Sequence, residues 1–134
     1  MESAIEERLA AARITLRKAK RAERVPGFEQ APDFFVPTEL APAAIIEAKI
    51  TGDDGTASNK VSRVTNLATM RDNRERAGQA SVELIACIDG RGFRVRREDM
   101  RKILVATRGK VFTLATLDKL IEHTRLREFL PRPS

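Results

Sequence analysis

Ala43-Ala44-Ile45-Ile46-Glu47-Ala48-Lys49-Ile50 follows Pro42 and is apolar except at Glu47 and Lys49. So short a run, bounded by a proline and by the turn-forming Thr51-Gly52-Asp53-Asp54-Gly55, is predicted to be a strand rather than a helix. Side chains alternate along a strand. Glu47 and Lys49 therefore share one face while Ile46, Ala48 and Ile50 share the other, which gives one face for the core and one for chemistry.

Neighbouring segments supply the remaining layers. Asp33-Phe34-Phe35-Val36, between Pro32 and Pro37, reads as a second strand, and the proline-bounded stretch from Pro37 to Pro42 joins the two strands as a hairpin. Upstream, Ile5, Leu9, Ala12, Leu16 and Ala19 recur at helical spacing and predict an amphipathic helix over 3–23, with Ser3 and Glu6 as a capping box and Val25-Pro26-Gly27 as its end. Downstream, Thr56 or Ser58 caps a helix that turns Val61, Val64, Leu67 and Ala68 inward. Residues 71–79 are polar and aperiodic and are predicted to form an exposed loop. A strand over 82–88, a helix over 98–107, a short strand around Val111-Phe112 and a helix burying Leu114, Leu117, Leu120 and Ile121 complete the chain. The expectation is one α/β domain over 1–134, a small mixed β-sheet flanked by helices, with a flexible tail over 126–134.

Composition narrows the function. Hydrophobic residues make up 42% of the 134, enough for a real core, although six Phe and no Trp or Tyr leave that core mainly aliphatic. Twenty-five Lys and Arg against nineteen Asp and Glu give a net charge of +6, which favours a polyanionic partner, DNA above all. The single Cys87 has no disulfide partner and lies in an apolar run, as expected for a buried residue in a reducing cytoplasm. No stretch reaches the ~20 apolar residues of a membrane span. One histidine, His123, supports neither a zinc site nor a Ser-His or Cys-His mechanism, and Walker and dinucleotide-binding glycine motifs are absent.

If the two strands pair, Asp33 comes beside Glu47, and two carboxylates and an ammonium meet at one place. Phosphodiester hydrolysis uses such a set: carboxylates are hard oxygen ligands for Mg²⁺, and a lysine orients water or stabilises developing charge. Pro32-Asp33, thirteen intervening residues and Glu47-Ala48-Lys49 after an apolar run is similar to the signature of the PD-(D/E)XK nucleases, which include many type II restriction endonucleases and archaeal Holliday-junction resolvases. The resemblance spans about residues 5–88. It implies a restriction-endonuclease-like core: a helix, a hairpin bearing the motif, a further helix and a further strand. It also implies that Asp33 and Glu47 hold Mg²⁺, with Mn²⁺ as a substitute, that the backbone carbonyl of Ala48 is another ligand, and that Lys49 is the catalytic lysine. A plainer reading makes Glu47 and Lys49 the solvent face of an edge strand and Asp33 a turn residue.

Further candidates lie outside the motif. Glu6 or Glu7 is a candidate third acidic ligand, though the capping box competes for Glu6. Glu39 would serve only in a different hairpin register. Thr56 with the backbone amides of its helix start, Lys60 and Arg63 are candidate phosphate contacts, as are Arg71 and Arg74 in the basic stretch 71–76. The expected activity is that of a metal-dependent DNA endonuclease, a type II restriction endonuclease or its catalytic domain, acting as a homodimer because duplex cleavage takes two cuts. The alternatives are a structure-selective nuclease and a non-catalytic DNA-binding module.

Overall fold

In a computed structural model, the protein is described over residues 2–20, 24–25, 28, 30–50, 54–88 and 97–131, the side chains of 49–50 and 54–60 excepted. Helix α1 (Glu2–Ala11) leads into strands β1 (Arg17–Lys18), β2 (Phe34–Val36) and β3 (Ala44–Ile50). Helix α2 (Asp54–Arg76), strand β4 (Glu83–Ile88), helix α3 (Arg97–Ala106) and strand β5 (Val111–Phe112) follow, and two 3₁₀ turns, Leu114–Lys119 and Arg125–Phe129, close the chain. The strands form one five-stranded mixed sheet in the order β1-β2-β3-β4-β5. β1, β2 and β3 are antiparallel neighbours, whereas β3 pairs with β4, and β4 with β5, in parallel. The predicted class, a mixed sheet flanked by helices, is the observed one.

Both faces of the sheet are covered, which explains why β3 and β4 are nearly continuous apolar runs. On one face Ile5 and Leu9 of α1, with Leu117, Leu120, Ile121 and Leu126 of the C-terminal turns, pack on Phe34, Ile46, Ala48, Ile85 and Cys87. On the other, Val61, Val64 and Leu67 of α2 and Ile103 of α3 pack on Phe35, Ile45, Leu84, Ala86 and Ile88. The expected division of β3 into a core face and an open face is thereby corrected: Glu47 lies on the α2 side and is fully buried.

Helix α1 stops twelve residues before its predicted end at 23, at Ala11. Arg13 adopts a left-handed backbone (φ 59°), its N–H bonds the Ala10 carbonyl at 3.0 Å and the Ile14 N–H bonds the Leu9 carbonyl at 2.9 Å. This is a Schellman ending made without glycine, so no sequence signal marked it, and the apolar stripe past it belongs to the approach to β1. Ser3, expected to cap α1, lies inside the helix. Thr56 and Ser58 likewise lie inside α2 rather than capping it.

The predicted loop over 71–79 is helix as far as Arg76. It escaped a search for apolar periodicity because charged groups hold it. The Arg71 guanidinium, buried, donates to the Ala106 carbonyl at 2.5 Å and to Asp72 at 3.1 Å. Arg108, just past α3, clasps both Glu75 oxygens at 3.1 and 2.9 Å and reaches Asp72 at 3.4 Å. Gly78 (φ 77°) then ends α2, and Arg108 (φ 55°) ends α3, so two helix C-termini are tied together at a point where each exposes carbonyls to cations.

The chain end packs on the sheet as far as Phe129. Leu126 is fully buried, and Arg125 donates from its backbone N–H to Glu83 at 2.7 Å and from its side chain to the Ser81 carbonyl at 2.9 Å. The first residues of the segment expected to be a flexible tail form part of the second 3₁₀ turn, while 132–134 lie outside the described residues. The preceding helix is a 3₁₀ turn that buries Leu117 but leaves Leu114 half exposed.

Hydrogen bonds from Arg108 and Ser81 pull the Glu75 carboxyl from 4.5 to about 2. A depressed carboxylate pKa stabilises the fold above the unfolded value, and that contribution is lost as pH falls through the folded one. The thermal midpoint of the wild-type protein is accordingly expected to drop between pH 4.5 and about 2 more steeply than that of Glu75→Gln. Parallel curves from scanning calorimetry would exclude Glu75 as the titrating group.

Candidate active site at the β2–β3 fork

The antiparallel register that pairs Phe34 with Ile46 sets Asp33 opposite Glu47 at the open end of the β2–β3 ladder. Asp33 immediately precedes β2, and its Oδ2 accepts the Ala48 N–H at 2.7 Å, so the side chain continues the ladder where the backbone pairing stops. Its own carbonyl accepts the Ala19 N–H at 2.9 Å, which fixes the residue from the β1 side. Pro32-Asp33 and Glu47-Ala48, fifteen residues apart, are thus brought to one fork by two strands and a turn.

Pairing between β3 and β4 slips between Glu47 and Ile50: Glu47 sits opposite Ala86, but Ile50 opposite Ile88. One extra residue of β3 is accommodated there. Such a bulge re-aims the strand and breaks the strict alternation from which a shared face for Glu47 and Lys49 was predicted. Lys49 belongs to β3 by its backbone, and its side chain lies outside the described residues.

Glu47 is fully buried beneath α2, and a lone carboxylate in such a place is costly. Arg63, on the inner turn of α2, supplies the countercharge: its Nε donates to Glu47 Oε2 at 2.5 Å, and its Nη2 donates to the Ala31 carbonyl at 2.8 Å. Desolvation acts to lower the Arg63 pKa, but the hydrogen bond and charge of Glu47, joined by the charge of Asp33, outweigh it and leave it raised. Arg63 therefore supplies the countercharge to the buried Glu47 and staples α2 to the segment entering Asp33. Sequence reasoning gave it a phosphate-contacting role on its basic charge. Its placement three residues after Lys60 carried no signal that it faces inward.

Other candidates fall elsewhere. Glu6 lies 3.5 Å from Lys18 Nζ, in a cluster that also holds Glu2, and Glu39 pairs with Arg17 at 3.1 Å. Among the described residues no three His, Cys, Asp or Glu gather as a metal cluster, so neither Glu6 nor Glu39 joins Asp33 and Glu47. Arg71 is corrected from a phosphate contact to the interhelical clamp described above. Arg74 lies with its guanidinium over the Phe28 ring, 5.4 Å from the centroid. The side chains of Thr56 and Lys60, both expected to contact phosphate, are outside the described residues. Burial, with Asp33 nearby, pushes the Cys87 thiol up to about 12, which makes it inert as a nucleophile.

The donor set is of the kind Mg²⁺ accepts. That ion is commonly held by one or two carboxylates, with water and substrate phosphate completing the shell, and Asp33, Glu47 and the Ala48 carbonyl are all hard oxygens. Comparison with known proteins adds no relative, because no protein-family model, curated protein or solved structure matches the chain. No helix among the described residues is long and apolar enough to cross a membrane.

Two substitutions separate these roles. Arg63→Met strands the buried Glu47 charge and is expected to cost about 3 kcal/mol in urea unfolding, with most of that recovered when Glu47→Gln is added. An unchanged midpoint for the single variant would mean that the ion pair is not formed. Arg71→Ala is expected to lose about 1–3 kcal/mol by unclamping Ala106, and a variant that instead kept full stability while binding DNA less well would restore the phosphate role.

Proposed function

We propose that this chain is a Mg²⁺-dependent endonuclease acting on DNA, with a restriction-endonuclease-like core. One observation carries the reading: the strand register sets Asp33 opposite Glu47, with the Asp33 carboxylate on the Ala48 N–H, so the Pro-Asp and Glu-Ala-Lys elements of the motif share one fork. The order helix, hairpin, helix, strand that the resemblance implies also agrees with α1, β2–β3, α2 and β4. A net charge of +6 favours approach to a phosphate backbone.

In this reading Asp33, Glu47 and the Ala48 carbonyl hold the ion, which when bound neutralises phosphate charge and lowers the pKa of a water. The protein's own residues prepare the site. The Ala48 N–H fixes the rotamer of Asp33, and Arg63 supplies the countercharge that a buried Glu47 carboxylate requires. Lys49, in the bulged part of β3, has the role of orienting the attacking water and stabilising charge on the phosphate oxygens. Type II restriction is the first candidate for the biological role, and a homodimer would supply two such sites for the two strands of a duplex.

Nicking of supercoiled plasmid is expected with Mg²⁺ or Mn²⁺ and not in EDTA, and Asp33→Ala and Lys49→Ala are each expected to lose about a hundredfold or more in rate. Calorimetry with Mn²⁺ gives an independent reading, with binding to wild type and none to Asp33→Ala. Absence of both cleavage and metal binding would leave a DNA-binding module as the better description.

A further inference from the structure

An open groove of about 800 Å³ runs along α2, between that helix and Phe28 and Gln30. Its chemistry differs from the rest of this basic surface. Asn66, Thr69 and Asn73 are exposed on one face of α2, and Gln30 faces them from the opposite wall. Arg74 is the cation of the lining; its guanidinium lies over the Phe28 ring, and its Nε, shielded from solvent, finds no hydrogen-bond partner among the described residues. Phe28 is in turn held edge-on by the buried Phe35, 5.3 Å away at 79°, so the guanidinium rests on a platform rooted in the core.

Amides carry a donor and an acceptor each and no charge. They suit the edges of nucleobases, whereas phosphates select cations. Reading a duplex, however, takes an element that protrudes into a major groove about 12 Å wide, and these amides line a recess. Bases can enter a recess only when they are unpaired, and unpaired bases are held on aromatic rings and guanidinium planes with amides on their edges. The groove is also connected to the fork: Gln30 donates to the Arg63 carbonyl at 3.4 Å, and Arg63 bonds Glu47 and Ala31. Along α2, Asn73 lies about 15 Å beyond Arg63, a span of roughly four nucleotides at about 3.4 Å per base.

We infer that this groove holds unpaired bases of a DNA single strand leading into the fork, so that the preferred substrate is DNA with a single-stranded segment, such as a fork, flap or branch, which favours a structure-selective nuclease over restriction of a duplex. The inference rests on the nuclease reading for its consequence but not for its test. Fluorescence anisotropy in EDTA, at fixed salt, compares a mixed-sequence single-stranded 12-mer with its own duplex. The wild-type protein and Asp33→Ala are expected to bind the single strand about tenfold more tightly than the duplex; Asn66→Ala/Asn73→Ala is expected to lose about that factor on the single strand alone, and Arg74→Gln to lose it on the single strand with only a slight weakening on the duplex. Arg101→Gln on α3, a matched loss of charge outside the groove, is expected to weaken both ligands slightly and equally. Equal or tighter duplex binding by wild type, or single-strand binding by the amide variant equal to that of wild type, would overturn the inference while leaving plasmid cleavage to judge the nuclease reading. Groove-dependent single-strand binding without any cleavage would sink that reading and keep this one.

Discussion

A carboxylate set within a sheet that is covered on both faces must be matched by a cation from the covering layer, and this requirement organises the centre of the molecule. Glu47 meets Arg63, and Arg63 in meeting it also takes the Ala31 carbonyl, so one side chain ties helix α2 to β3 and to the chain entering Asp33. The long helix is thereby aligned over the fork rather than merely packed on the sheet. Buried ion pairs of this kind add little net stability against an apolar alternative, yet they penalise every arrangement in which the partners part. Here that penalty falls on displacement of the residues that define the candidate site.

A second set of charged contacts does similar work at the far end of α2. Arg71 fills a position that helical geometry assigns to the core and satisfies a carbonyl at the end of α3, while Arg108 closes over Glu75 and Asp72. The two helices covering one sheet face are therefore joined by guanidinium groups at their C-terminal ends, where the helix dipoles favour positive charge. Basic residues in this chain have unlike duties: some bind the protein to itself, and only the remainder are free to meet a polyanion. Net charge by itself overstates the surface available for nucleic acid.

The hairpin and the strand that became β4 were legible because apolar runs bounded by proline and glycine have few other solutions. Asp33 and Glu47 were legible as partners because pairing two adjacent strands fixes which residues meet. The extent of α1 was not, since its left-handed terminator is an arginine rather than a glycine, and apolar residues continue in helical spacing beyond it. The second half of α2 was hidden for the converse reason: its inward face carries Arg71 where a search for periodicity expects an aliphatic side chain.

By itself, then, the sequence determined the class of fold, the β2–β3 hairpin and the two carboxylates at its fork, because these follow from local hydrophobic pattern and turn chemistry. The tertiary structure alone decided that Glu47 is buried, that Arg63 neutralises it, that β3 bulges past it, and that Arg71 and Arg74 turn to a carbonyl and a phenyl ring. The reason is physical: a basic residue looks the same in sequence whether it faces water or a buried acceptor, and only the packing of helix against sheet fixes which of the two it meets.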